Sequence, residues 1–305
     1  MSRIRREIWA LLAVQVLFAS NAVVGRLNVE YLGPRLLVLV RVVGATAIFL
    51  AFARRYGVKL PRSRGDLALA LACGILGVSL NQTLFLSGLY FSTAIHSTII
   101  GTTIPVFATG LAAAAGLERL SFAKVAGIGL ALAGVLFLVR VEEFHLGQGV
   151  LGDLCFLANS LSYAGYLVLS RRLVQRHGAP TQIVWTFVLG LLTVLPVGLP
   201  GLSRLGTGAP LPWWLVLTVG YTVVFSTVFA YSLNAFAMRQ VESSTAAAWI
   251  YLQPLLTVLM AIPVLGERPS PRAGIAALLI FGGVLLSTRG VAEGTVGTKG
   301  GEAAA

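Results

Sequence analysis

Single polar and aromatic side chains interrupt the long apolar runs of this 305-residue chain. Amides, hydroxyls and aromatic rings at such places can orient a small molecule by hydrogen bonds and stacking. They supply neither an activated nucleophile nor a pair of acids, so they indicate binding rather than catalysis. The candidate binding residues are Arg41, Asn81, Phe85, His96, Ile100, Tyr163, Tyr166, Asn234, Trp249 and Gln253.

Helical spacing places several of these candidates on shared faces. Asn81 and Phe85 are one turn apart on one predicted helix, and His96 and Ile100 are one turn apart on the next. The equivalent stripe in the second half of the chain holds Trp249. These stripes are expected to line one surface in the interior.

Each candidate also has a purely structural interpretation. A lone asparagine such as Asn81 can simply bond a neighbouring helix. Tyr163, Tyr166 and Trp249 can be packing residues or members of an interface belt. The sequence leaves both interpretations open.

Two ionisable candidates allow sharper alternatives. Arg41 lies about two turns from the predicted outer end of its helix. Either it snorkels outward, or its charge faces a cavity and meets a substrate carboxylate. His96 lies about one turn inside the predicted outer surface. It is a candidate for a gate or a pH-responsive group, or else a simple hydrogen-bonded histidine.

The composition indicates an integral membrane protein. The chain is 57% hydrophobic and 11% charged, with mean hydropathy +0.86, whereas soluble domains carry about 25% charged residues. The net charge of +12 does not indicate nucleic acid, because the basic residues sit in short loops between apolar runs. Cys73 and Cys155 fall inside apolar runs and are expected to be packing residues rather than a disulfide.

Apolar runs long enough to cross a bilayer occur ten times, which predicts an all-α polytopic membrane protein. A spanning helix needs about 20 residues, and helices are expected because lipid cannot satisfy free backbone groups. The predicted spans are residues 8–26, 36–54, 67–88, 93–116, 122–140, 150–170, 181–200, 213–236, 244–264 and 272–288.

The distribution of basic residues predicts the orientation. With the N-terminus inside, 16 of the 23 Lys and Arg residues fall in cytoplasmic segments, 6 fall in outer loops, and Arg41 lies within the second span. This bias predicts that both termini are cytoplasmic, and we expect the bacterial inner (plasma) membrane as the location. Residues 290–305 are small and polar, and we predict a disordered cytoplasmic tail there.

One sequence pattern occurs twice. Residues 103–121 and 252–270 each have a proline near the start, an apolar run, and Glu-Arg two positions before a serine. The offset of 149 predicts two five-helix repeats, residues 1–145 and 146–289. Because five is odd, the second repeat is inserted upside down, which is the architecture of secondary transporters. The matched positions are Pro105 and Pro254, Glu118 and Glu267, Arg119 and Arg268, and Ser121 and Ser270.

The two matched prolines fall within predicted spans. Proline removes a backbone hydrogen bond and frees a carbonyl, which membrane helices tolerate where neighbours or a cavity satisfy the freed group. Pro105 and Pro254 are therefore predicted hinges for opening either face, with static packing bends as the alternative.

The two segments that carry this pattern, STAIHSTIIGTTIPVFATGLAAAAGLERLS and ESSTAAAWIYLQPLLTVLMAIPVLGERPS, resemble the drug/metabolite transporter superfamily. The likeness is to its ten-helix exporters built from two EamA-type repeats, bacterial aromatic amino acid exporters among them, and it covers residues 8–288. The resemblance implies alternating access and the export of small metabolites, including amino acids. It is specific for the superfamily and poor for the substrate.

The distribution of acidic residues narrows the substrate. All eleven lie at span ends or in loops, whereas an exporter of organic cations needs a buried acid. We therefore expect a neutral or zwitterionic solute with an apolar side chain, and a multidrug exporter of the same fold is the alternative. Energy coupling has two possible forms: His96 carries a proton, or the protein is a facilitator.

Other classes are disfavoured. The sequence holds no GxxxxGK[ST] loop for ATP and neither HExxH nor GxSxG, and its three histidines are scattered. We expect no enzyme activity, no cofactor, no metal and no nucleic acid. The expected partners are a small-molecule substrate and the lipid bilayer, with the chain a monomer or a weak homo-oligomer.

Overall fold

The computed structural model describes residues 2–55, 57–59, 63–114, 122–139, 148–207, 211–237 and 249–296. Within those ranges the chain forms ten α-helices in sequence, a 3₁₀ helix (Leu199–Thr207) after the seventh, and no strand. We number them in chain order: α1 (2–32), α2 (34–53), α3 (Arg64–Phe91), α4 (Ala94–Gly101 and Ile104–Ala114), α5 (Phe122–Val139), α6 (Gln148–His177), α7 (Ala179–Gly198), α8 (213–237), α9 (Trp249–Leu265) and α10 (Pro271–Val296).

Each helix overlaps one predicted span, so the all-α, ten-helix prediction is confirmed. Several helices are longer than predicted: α1 continues to residue 32, α6 to His177 and α10 to Val296. Residues 244–248 of the predicted ninth span lie outside the described residues. The predicted disordered tail, residues 290–305, begins within α10, which is helical to Val296, and residues 297–305 lie outside the described residues.

The helices differ in whether their length and hydropathy are sufficient to cross a membrane. The stretches long and apolar enough to cross a membrane are Trp9–Ala53, Arg64–Phe91, Ala94–Leu111, Ala179–Leu205 and Trp213–Phe236, with shorter apolar helices at Val125–Leu138, Trp249–Leu265 and Pro271–Gly283. The first of these holds both α1 and α2. Helix α6 is not among them, because its interior face carries buried polar residues such as Asn159, Ser160 and Ser162.

Two glycine corners show the internal repeat in the backbone. Gly33 joins α1 to α2 with φ 68° and ψ 162°, and Gly178 joins α6 to α7 with φ 79° and ψ 159°. Residues that carry a side chain rarely adopt a positive φ, so both corners favour glycine. Their spacing of 145 equals that of Arg26 and Arg171, which end similar stretches of α1 and α6. The first two helices of each repeat therefore turn in the same way.

Two π-helical turns mark the third helix of each repeat. They cover Ile75–Leu80 in α3 and Val224–Phe229 in α8, at the same offset of 149 as the matched prolines. A π-turn is rare and usually local. In the turn of α3, side chains of the second repeat donate hydrogen bonds to backbone carbonyls. Ser162 donates to the Leu76 carbonyl at 2.7 Å, and Tyr231 donates to the Gly77 carbonyl at 2.9 Å.

The fourth helix of each repeat is irregular just before its matched proline. Helix α4 stops at Gly101 and restarts at Ile104, so Pro105 lies in the first turn of the second piece, where it costs no hydrogen bond. The described part of α9 begins with a 3₁₀ turn, Trp249–Tyr251, and Pro254 follows. The irregularity thus comes before each proline rather than at it. That Pro105 and Pro254 act as hinges stays a prediction.

The two repeats pack side by side in opposite orientations. Helices α5 and α10 pack closely on each other: Gly134 of α5 faces Ile280, and Gly283 of α10 faces the backbone of Ala131. The outward surface is apolar and suits lipid, as at Leu278, which is 74% exposed. We name the two ends of the bundle after histidines, the His96 end and the His177 end.

Candidate binding cavity

A cavity of about 100 Å³ lies between the two halves. Its wall comes from α1, α2, α3 and α4 of the first half and from α6, α8 and α9 of the second. Seven carboxamides line it: Gln15, Asn21, Asn81, Gln82, Asn159, Asn234 and Gln253. Phe18, Phe85, Tyr163 and Tyr231 add aromatic surface, and Arg41 adds a charge.

The lining positions recur at the repeat offsets. Phe18 and Tyr163 line the cavity 145 residues apart. The pairs 149 residues apart are Gln82 and Tyr231, Phe85 and Asn234, Gly101 and Ile250, and Ile104 and Gln253. The cavity therefore lies on the axis that relates the two repeats, as expected for the ligand site of an inverted-repeat protein.

Six of the ten sequence-predicted residues line this cavity: Arg41, Asn81, Phe85, Tyr163, Asn234 and Gln253. The other four lie outside its wall. Ile100 is fully buried, and its carbonyl accepts a bond from Thr103 at 2.7 Å. The Tyr166 hydroxyl accepts a bond from Gln182 at 3.3 Å. Trp249 opens the 3₁₀ turn of α9, and His96 lies at one end of the bundle. A role of any of the ten in binding stays a prediction.

Amide side chains join the halves across the cavity. Gln253 Nε2 donates to Gln15 Oε1 at 2.6 Å. Asn159 Nδ2 donates to the Asn81 carbonyl at 2.7 Å, and the Tyr231 hydroxyl lies 3.3 Å from Asn81 Oδ1. Each of these bonds connects one repeat to the other, so a shift between the repeats must break or exchange them.

The aromatic part of the wall is built around Tyr163. Its ring meets Phe18 edge-on at a centroid distance of 6.4 Å, and Phe18 meets Tyr231 in the same way at 6.3 Å. Asn234 Nδ2 donates to the Tyr163 hydroxyl at 3.2 Å. Edge-on rings leave faces and edges on which an apolar or aromatic group can pack.

Arg41 is the one charged residue in the described cavity wall. It is 2% exposed, and its Nη2 donates to Thr227 Oγ1 at 3.1 Å. Its Nε and Nη1 atoms have no hydrogen-bond partner among the described residues. Of the two alternatives for Arg41, the structure shows a side chain in the cavity wall rather than one that snorkels outward.

A histidine–aspartate pair joins the repeats at the His96 end. His96 Nδ1 of α4 lies 3.0 Å from both carboxylate oxygens of Asp153 of α6. Ser92 donates to the same carboxylate at 2.6 Å, and Asp153 is only 4% exposed. The sequence indicated His96 as a gate candidate but gave no sign of its partner.

The repeated glutamate has a structural role at the same end. Glu267 follows α9, and its two carboxylate oxygens accept bonds from the backbone N–H groups of Ala94 at 2.9 Å and Ile95 at 3.1 Å. A carboxylate satisfies the free N–H groups of a helix start and the positive end of its dipole. Glu267 thus ties the second repeat to α4 of the first. Glu118 lies outside the described residues.

A second ionic cluster lies at the His177 end. Asp66 at the start of α3 is 3.3 Å from Arg176 Nη1 and 3.1 Å from His177 Nε2. Nearby, Trp185 Nε1 donates to the Lys59 carbonyl at 2.7 Å. Each end of the bundle therefore carries an aspartate–histidine pair between the repeats, α4 with α6 at the His96 end and α3 with α6 at the His177 end. No group of three or more potential metal ligands occurs in the described part of the chain.

Sequence reasoning missed Asn159, Tyr231 and Ser226 as lining residues. Two could have been found. Tyr231 is the repeat equivalent of Gln82, and Asn159 opens a cluster of polar residues in an apolar run. Ser226 lies within a π-turn, and the sequence gave no sign of that turn.

Two inverted repeats around a polar cavity define a polytopic membrane transporter. Residues 5–140 and 150–289 each match the EamA-like transporter family, and the chain belongs to that family. Each half is thus one copy of the family's repeat.

Individual relatives agree with this assignment. An "Uncharacterized transporter" of Archaeoglobus fulgidus is 27% identical over 285 residues, which cover 91% of this chain and 96% of the relative. A "Probable terminal-alkyne amino-acid exporter" of Streptantibioticus cattleyicolor is 26% identical over 290 residues, covering 94% and 95%. A solved structure named only "Crystal structure of protein" aligns with TM-score 0.62 over 93% of this chain and 97% of its own, at 21% identity. This last likeness concerns the fold alone.

Proposed function

We propose that the protein is a secondary transporter that exports amino acids, aromatic or apolar ones in particular, or related small metabolites by alternating access. The observation that carries the proposal is the cavity between the repeats, with its seven carboxamides, four aromatic rings and one arginine. Carboxamides both donate and accept hydrogen bonds, so they suit a solute with both kinds of polar group. The rings suit an apolar or aromatic side chain.

Alternating access requires the repeats to move against each other around the site. Three features of the structure support such a movement. Polar side chains in the cavity wall bond the halves to each other and can exchange partners, the π-turns of α3 and α8 lie beside the cavity, and α4 is interrupted at Thr102 and Thr103. Interruptions of this kind are where helices bend at functional sites.

The proposed direction is export across the bacterial inner membrane, with both termini in the cytoplasm. The support is the excess of Lys and Arg in the segments that then face the cytoplasm, 16 against 6. In this orientation the His96 end faces outward and the His177 end faces the cytoplasm. Export also agrees with the name of the relative from Streptantibioticus cattleyicolor, which is called an exporter.

The alternative is a multidrug exporter of the same fold. Organic cations bind tightly in apolar sites that offer a carboxylate. The cavity wall, as far as the structure describes it, contains none, and it contains an arginine that repels cations. The amino acid or small-metabolite substrate is therefore the better supported of the two.

Counterflow in proteoliposomes tests the proposal. Vesicles containing the purified protein are loaded with one unlabelled amino acid at a time, and entry of the labelled form is measured with and without a proton gradient. We expect saturable exchange of at least one apolar or aromatic amino acid, reduced in Asn81→Ala and unchanged in the lipid-facing control Leu278→Ala. Exchange of organic cations but of no amino acid would favour the multidrug alternative.

A further inference from the structure

We infer that Arg41 binds a carboxylate of the transported molecule, so that the substrates are small monocarboxylates, either zwitterionic or anionic, and not amines. The inference rests on the proposed transport function and specifies its substrate class. It follows from three properties of Arg41: its burial, its unused hydrogen-bond donors, and the absence of a counter-charge among its described neighbours.

The guanidinium group of Arg41 uses only part of its hydrogen-bonding capacity. Its three nitrogens carry five N–H donors. One nitrogen, Nη2, donates to Thr227, whose own hydroxyl donates to the Thr222 carbonyl at 2.8 Å. Nε and Nη1 are shielded from bulk solvent, and no described residue offers them an acceptor. Unused donors of a buried cation are costly, so a ligand that accepts from them is favoured.

Arg41 has no counter-charge among the described residues. No described Asp or Glu lies within ion-pair distance of Arg41. The buried carboxylate of Asp153 is already bound by His96 and Ser92. The positive charge in the cavity wall is thus left for a negative group of the solute, and guanidinium fits a planar carboxylate better than other side chains do.

Two further buried polar atoms in the cavity wall lack a hydrogen-bond partner among the described residues. Asn21 Oδ1 and Ser226 Oγ are buried without a partner among the described residues, and both residues line the same cavity as Arg41. Ser226 is next in sequence to Thr227, the residue that binds Arg41, and its hydroxyl is a further hydrogen-bond donor on this wall. The amide oxygen of Asn21 can accept only, which suits the ammonium group of an amino acid.

The test uses solutes that share a tail and differ in the polar head. One series is phenylalanine, 3-phenylpropionate and phenethylamine, and the other is leucine, 4-methylpentanoate and isopentylamine. Binding is measured as thermal stabilisation of the purified full-length protein in detergent. We expect at least one amino acid or acid to bind, and its amine to bind about 10-fold more weakly or worse, the factor for one hydrogen bond to a charged group.

Variants of Arg41 complete the test. Arg41→Gln is expected to weaken binding of the acids by about 10-fold or more and to leave the amines unchanged, and Arg41→Lys is expected to restore part of the loss. The matched control is Arg26→Gln, which removes an arginine outside the cavity that pairs with Glu30 at 3.2 Å. If Arg41→Gln does not fold, the two solute series measured on the wild-type protein still show whether the site prefers carboxylates to amines.

Two results would overturn the inference: amines that bind as tightly as their acids, or no binding by any acid or amino acid. The fate of the transport proposal is separate, because counterflow measures it independently. A protein that exchanged labelled metabolites but bound amines and acids alike would be a transporter without a carboxylate site.

Discussion

The Nδ1 atom of His96 lies 3.0 Å from both carboxylate oxygens of Asp153, and the two residues belong to different repeats. The pair is an ion pair only while the imidazole is protonated. Two other groups surround it: Ser92, which donates to Asp153, and Glu267, whose carboxylate is bound to the first turn of the same helix as His96. Two contacts between the repeats therefore meet at this end.

We predict that the His96–Asp153 pair gives transport a pH dependence. Histidine is the side chain that changes charge between about pH 5 and 8. Only a charged imidazole forms an ion pair with Asp153, so the charge on His96 affects how firmly the repeats are held together at this end. Counterflow measured from acidic to alkaline pH should therefore change in wild type and be flatter in His96→Asn.

The control for this prediction is His177→Asn, which alters a histidine at the opposite end of the bundle. A wild-type pH profile in His96→Asn would contradict the pairing as the cause. If His96 also carries the coupled proton, the same variant should lose accumulation driven by a proton gradient. A role in closure alone would leave that accumulation in place.

Glu267→Gln should destabilise the protein. The carboxylate accepts two backbone N–H bonds at the start of α4, and loss of a helix cap costs about 1 kcal/mol. We expect a lower unfolding temperature in detergent and faster hydrogen exchange at the N–H groups of Ala94 and Ile95. The matched control is Glu30→Gln, which breaks only the ion pair with Arg26 on one helix. Equal losses in the two variants would argue against a special role for Glu267.

Arg41→Met should leave the empty protein at least as stable as wild type. A buried charge without a counter-charge is unfavourable, and apolar replacement of buried charges is often neutral or stabilising by about 1–4 kcal/mol. The measurement is the unfolding temperature without ligand, beside counterflow, which we expect to be lost. A clear fall in that temperature would mean that Arg41 stabilises the fold rather than the bound state.

Gly283→Ala should loosen the contact between α5 and α10. A methyl group at Gly283 would lie 2.5 Å from the backbone nitrogen of Ala131, whereas one at Gly274 of the same helix meets nothing within 4 Å. Overpacking costs about 1–3 kcal/mol. Gly274→Ala is the control and should be neutral or slightly stabilising, because alanine favours a helix. Similar unfolding temperatures for the two variants would contradict the close approach.

The sequence was sufficient for the helices because apolar length and basic loops are local properties. It was also sufficient for the repeat, because Pro105 and Pro254 stand in similar surroundings 149 residues apart. It was less informative on contacts. The partners of His96 and Glu267 lie 57 and 173 residues away, and only the packing of the two repeats brings them together.

The cavity was partly predictable for the same reason. Asn81, Phe85 and Asn234 stand out as polar or aromatic groups on predicted helix faces, and all three line it. Whether Arg41 snorkels or faces inward depends on the position of Thr227 in a π-turn 186 residues away. No periodicity in the sequence indicated that turn, so the choice required the structure.

The arginine of α2 has no equivalent in the cavity wall on α7, although many lining positions recur at the repeat offsets. A solute whose acid group is fixed at Arg41 is therefore held by one side of a nearly symmetric chamber. The end-over-end orientation, which two-fold symmetry would otherwise make equivalent, is then unfavourable. One unmatched charge thus selects a single orientation for an unsymmetrical solute.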